Sequence, residues 1–135
     1  MAPALLHLLM KDIAFVFIGG GAGSLARFAV GKFYARWQPG FPYATLTANF
    51  LSCLVFGIVV MLGVQKLNLN YTLKLLLITG FCGGFSTYSA FTFETVELFK
   101  SGQSSMALIN IVINFALSVG GLYIGFWLGR LLFSV

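Results

Sequence analysis

The chain has 135 residues, 59% of them hydrophobic and only 8% charged, with a mean hydropathy of +0.97. Soluble domains carry about 25% charged residues, so the composition points to an integral membrane protein rather than a soluble enzyme or binding domain. The net charge of +5 is spread along the chain without a basic cluster, which argues for membrane topology and against a nucleic-acid surface.

Four apolar stretches approach or exceed the roughly 20 residues that a bilayer requires. They cover residues 13–37, 45–64, 73–99 and 106–135. The connections are short: 38–44 with Pro39, Gly40 and Pro42, then 65–72, then 100–105. The expected fold is an all-α membrane protein, with residues 1–135 forming one four-helix unit. Met1 to Lys11 reads as a short amphipathic lead-in, and the apolar run behind it outlasts the core of a signal peptide.

The first span opens FIGGGAGSLARF. Gly19 and Gly23 make a G-x-x-x-G face that lets another helix approach closely. Arg27, four residues on, is the most interior cation: a snorkelling side chain, an anion-attracting group in a vestibule, or a partner for an acid or backbone carbonyl. The second span begins TLTANFLSC. Thr45 is placed to cap it, and Thr47 to bond a carbonyl one turn back. Asn49 is its one strongly polar interior side chain, and serves as helix–helix glue or as a donor lining a polar path.

The third span carries residues 79–94, TGFCGGFSTYSAFTFE. Gly80, Gly83 and Gly84 weaken the helix, and five hydroxyls and Glu94 sit at a depth without water. Broken backbone there is tolerated only where protein buries it or it lines a wet cavity. A break near the middle of this helix, around Gly83 to Ser86, is therefore expected. On the fourth span Asn110, Asn114 and Ser118 fall at i, i+4 and i+8, a polar track about 12 Å long at 1.5 Å per residue. Gly121, Gly125 and Gly129 repeat the same step beyond it. The glycine faces suit contacts either between subunits or within one.

Four spans put both termini on one side. Lys11, Lys66, Lys74 and Arg130 fall on that side, and Lys32, Arg36 and Lys100 on the other. Most membrane proteins are oriented by a clear Lys/Arg excess. So near a balance suggests insertion both ways up and an antiparallel homodimer.

The intramembrane polar groups are mostly donors, which suits an anion or a small neutral solute better than a cation. Aromatic ring edges are electropositive, and Tyr88 and Phe91 are the candidates to present them. The two cysteines, Cys53 and Cys82, read as small buried hydrophobes without metal-ligand spacing. The single histidine, His7, lies in the lead-in, and no nucleophile has a neighbouring base. No enzyme is expected.

GGGAGSLARF, TLTANF and TGFCGGFSTYSAFTFETV resemble the corresponding stretches of the fluoride channel family, Fluc or CrcB, small bacterial proteins of the inner membrane. The resemblance covers all four spans. It implies an antiparallel, dual-topology homodimer with two fluoride pores and a structural sodium ion (Na+) at the dimer centre. By motif, the backbone carbonyls of Gly83 and Ser86 would hold the sodium. Asn49, Tyr88, Phe91, Asn110, Asn114 and Ser118 would form the fluoride pathway, with Arg27 and Glu94 in vestibule or structural roles. Tyr88 stands where the family usually has Phe, Asn110 and Asn114 replace hydroxyls of the track, and Leu122 is apolar where the track could continue. The alternative is a four-span exporter of small cationic compounds, but that class needs a carboxylate inside its first span, and Asp12 lies at the membrane edge. A structural subunit of a larger membrane complex is a third reading.

Overall fold

The computed structural model describes residues 2–37, 40–65 and 70–133. Pro39 and Lys66, named above, lie outside these residues, as do the last two residues of the fourth span and the side chain of His7. The described residues are helical apart from short turns. They form α1 (Ala2–Ala35), α2 (Tyr43–Gln65), α3, α4 (Tyr88–Lys100) and α5 (Ser104–Phe133). Helix α3 has three parts: an α-helical turn Tyr71–Lys74, a π-helical run Leu75–Cys82 and a closing turn Gly83–Phe85. Four segments are long and apolar enough to cross a membrane: Leu8–Ala35, Tyr43–Gly63, Tyr71–Lys100 and Ser104–Leu132. The chain is a multi-pass membrane protein. The lead-in is continuous with the first span rather than separate from it.

Two helix pairs make the bundle. Helix α1 lies along α3, and α2 lies along α5. Both seams are built on glycine, because small residues let backbones touch where lipid offers no hydrophobic drive to associate. A Cβ at Gly84 would strike the backbone of Gly20, and one at Gly125 would strike the Leu54 carbonyl. The open question about the glycine faces on the first and fourth spans is therefore answered. They pack helices within one subunit.

The interruption in the third span is present but displaced. Gly83 keeps helical angles (φ −63, ψ −36), whereas Ser86 (φ −73, ψ 158) and Thr87 are extended. The glycines do not break the helix; they thin it. At the far end of α4, Gly102 adopts φ 76. This left-handed residue allows Gln103 N–H to reach back to the Leu98 carbonyl at 2.9 Å and turns the chain into α5.

Two readings at the start of α2 are corrected. The helix begins at Tyr43, so Thr45 is not its cap. The Thr45 hydroxyl instead donates to Glu94 Oε1 at 2.7 Å, tying α2 to α4. Thr47 pairs with the Tyr34 hydroxyl at 3.1 Å rather than with a carbonyl of its own helix.

Candidate functional site

The site begins with the hydrogen bonds that the break displaces. In an uninterrupted helix the N–H groups of Thr87 and Ala90 would close on the carbonyls of Gly83 and Ser86. Here Thr87 N–H donates to Asn49 Oδ1 at 2.7 Å, and Ala90 N–H donates to the Thr87 hydroxyl oxygen at 3.2 Å. Gly83 and Ser86 thereby lose their helical donors. The neighbouring Cys82 carbonyl is saturated, since it accepts from Ser52 Oγ at 2.9 Å, Ser86 Oγ at 2.9 Å and Ser86 N–H at 3.0 Å. Two carbonyls at the break are left for other partners, and they belong to the two residues singled out from sequence for oxygen ligation.

Asn49 is what holds the break open. Its Oδ1 accepts from Thr87 N–H, and its Nδ2 donates to the Thr87 carbonyl at 3.3 Å and to Asn114 Oδ1 at 3.1 Å. An amide nitrogen carries two donors, and both are engaged. Asn49 is buried, as a fully satisfied amide in apolar surroundings must be.

The two asparagines of α5 share a face and differ in what they leave free. Asn114 is 6% exposed and turns Oδ1 toward Asn49, so its Nδ2 has no partner. Asn110 is 0% exposed and donates Nδ2 to Thr95 Oγ1 at 2.8 Å, while its Oδ1 has no partner. The Thr95 hydroxyl in turn donates to the Phe91 carbonyl at 2.7 Å. The turn Tyr88–Phe91 is thus held at both ends. At Thr87, Asn114 acts through Asn49; at Phe91, Asn110 acts through Thr95.

A cavity of about 450 Å³ opens between α2, α4 and α5. Asn49, Tyr88, Phe91, Asn114 and Ser118 line it, and so five of the six pathway residues expected from sequence converge. Asn110 is not among its lining residues. Its place is on Thr95, one turn away. The rings of Tyr88 and Phe91 stand 5.7 Å apart, inclined at 51°. Tyr88 is 80% exposed in the single chain, and its hydroxyl makes no hydrogen bond to the described residues.

Glu94 and Arg27 lie elsewhere. Glu94 borders a second cavity with Phe41, Glu97 and Ser101, and its Oε2 has no partner. Arg27 is half-buried and forms no ion pair with the described residues. The described residues also hold no cluster of three or more metal-ligating side chains.

Three contributors escaped the sequence reading. Cys53 lines the main cavity rather than only filling space, and its position four residues after Asn49 was the available signal. Thr95 pins Asn110, and Thr45 holds Glu94. Each of those pairs joins separate helices, which no local pattern reports.

The geometry is matched by relationship. Residues 14–126 match the family model described as CrcB-like protein, Camphor Resistance (CrcB). The chain is 40% identical over 121 residues to a protein of Maridesulfovibrio salexigens named Fluoride-specific ion channel FluC, covering 86% of this chain and 96% of that one. A Rhizobium etli protein of the same name is 39% identical over 124 residues, covering 91% and 99%. A third, from Phocaeicola vulgatus, is 32% identical over 122 residues, covering 90% and 100%. These relatives are named as ion channels, and none of the names supports an exporter of cationic compounds. With four spans, a broken third helix and a donor-lined cavity beside it, the chain belongs to the CrcB family.

Proposed function

We propose that this protein is a fluoride-selective channel of the bacterial inner membrane that lets the anion leave the cell passively. Fluoride that enters as neutral HF ionises inside, and a channel releases it down its gradient. One observation carries this reading: a membrane-depth cavity lined by the polar side chains of Asn49, Asn114 and Ser118 and by the aromatic rings of Tyr88 and Phe91. The principal barrier is removal of water from a small, strongly hydrated anion. Amide hydrogens, the Ser118 hydroxyl and the electropositive ring edges of Tyr88 and Phe91 replace that water.

The working unit is an antiparallel homodimer with two pores. Thr79 and Gly83 are exposed on the single chain at membrane depth, and lipid offers no partner to the Thr79 hydroxyl or to the Gly83 carbonyl that has lost its helical donor. A second copy inserted the other way up covers them, in keeping with the balanced Lys/Arg distribution. The carbonyls of Gly83 and Ser86 fit a structural sodium ion, since both have lost their helical donors and hard cations take oxygen ligands. Bound there, sodium would supply a fixed positive charge at the centre of the dimer.

The test is fluoride efflux from liposomes holding the purified protein, with chloride as control. Fluoride flux without chloride flux is expected. Equal flux of both ions, or of neither, rejects the reading. C-terminal reporter fusions that reach only one side of the membrane would reject dual insertion.

A further inference from the structure

We infer that Cys53 and Cys82 form a two-thiol site for a soft monovalent metal ion, Cu+ or Ag+, between α2 and α3. Metal binding there does not rest on the fluoride reading; only its effect on flux does.

The two cysteines are far apart in the chain and form no ligand motif, but the fold brings them together. Ser52 Oγ donates to the Cys82 carbonyl at 2.9 Å, which clamps α2 to α3 one residue before Cys53. The Cys82 thiol lies beside the Ser52 hydroxyl, close enough to Cys53 for charge on one thiol to be felt by the other. Both cysteines are free of disulfides, and both line a third cavity of about 310 Å³.

The ligand set selects the metal. The described residues hold no cluster of three or more metal-ligating side chains, so a zinc site is not on offer. Soft thiolates favour monovalent copper and its congener silver, filled-shell ions that are content with two ligands in a line. Each sulfur forms one bond to the ion and gives its proton to water. Two thiols and one M+ therefore yield a bis-thiolate complex of charge −1 and two protons. The carbonyl oxygens of Gly83 and Ser86 border the same cavity, but they suit a hard cation and leave the sulfurs to a soft one.

The site also reaches the anion path. Thr79 and Gly83 close the cavity on the face assigned to the second copy, whereas Cys53 and Ser86 border both this cavity and the main one. The Cys53 thiol lies beside Ser118, a pathway residue. A metal ion thus enters from the main cavity, and the negative complex it forms lowers fluoride flux.

The test uses the purified full-length protein and silver nitrate in chloride-free buffer. Titration calorimetry should give one Ag+ per chain, with affinity falling about 100-fold or more in Cys53→Ser and in Cys82→Ser, since each loses one of two linked ligands. X-ray absorption at the silver edge of the parent, which needs no variant to fold, should show two sulfur neighbours per silver. A single sulfur neighbour, or Cys82→Ser binding silver as the parent does, overturns the site. In liposomes, silver should slow fluoride efflux several-fold in the parent and leave each variant at its own silver-free rate. Unchanged efflux from the silver-loaded parent overturns the link to the anion path. A parent without fluoride flux at any silver level overturns the channel reading, and calorimetry still decides the metal site.

Discussion

The third span is joined to the bundle in two unlike ways. Before the break, α3 meets α1 through bare backbone, glycine against glycine. After the break, α4 is bound by side chains: Asn49 at Thr87, Asn110 at Thr95 and Thr45 at Glu94. The first contact is a matter of shape, and none of the buried unpartnered side-chain atoms of the described residues lies on it. The second is made of directional bonds and ends in three buried atoms without partners, on Glu94, Asn110 and Asn114. Buried polar atoms are normally satisfied, and an exception calls for an explanation. Rigidity in one half and unspent polarity in the other are what a fixed wall with a reactive lining requires.

This contrast can be broken from either side. The largest effect is expected from Asn49→Asp, which places negative charge on the cavity wall. Fluoride flux in liposomes should be abolished, and flux at the parent rate would remove Asn49 from the pathway. Next comes Gly84→Ala, whose added methyl meets the Gly20 backbone. Overpacking of this kind costs about 1–3 kcal/mol, so the yield of folded protein in size-exclusion chromatography should fall. Gly120→Ala, with no heavy atom within 4 Å of the new methyl, should leave that yield intact.

A smaller change is expected from Asn110→Leu. It removes one hydrogen bond, worth about 1 kcal/mol, together with the unpartnered Oδ1, and Thr95 keeps its bond to the Phe91 carbonyl. Flux should drop only several-fold, and a loss as deep as that of Asn49→Asp would place Asn110 in the pathway after all. Tyr88→Phe should change flux least of these substitutions, because the ring edge stays and the lost hydroxyl bonds to none of the described residues. A strong loss there would give the hydroxyl a role toward the anion or the second copy.

Much of the frame was legible in the residues. Four long apolar runs can only be spans, since every backbone group in lipid must be satisfied within its own helix. The i, i+4 spacing of Asn114 and Ser118 put them on one face, and the structure puts that face on the cavity. The expected break was real, but its cause was misplaced. Gly83 and Gly84 suggested weakness by propensity, whereas the chain actually opens at Ser86 and Thr87, where side-chain oxygens take over the N–H groups.

What local pattern could not supply is the direction of each hydrogen bond. Asn110 and Asn114 are the same residue on the same face of the same helix. One leaves an acceptor unpartnered and the other a donor. The difference lies with Thr95, 15 residues from Asn110, and Asn49, 65 residues from Asn114. Composition and periodicity determined that polar side chains would line up inside a membrane protein. Only the tertiary structure decided which of their atoms are spent on the fold and which are left without a partner, because an amide's orientation is set by the partner it meets and not by its place in the chain.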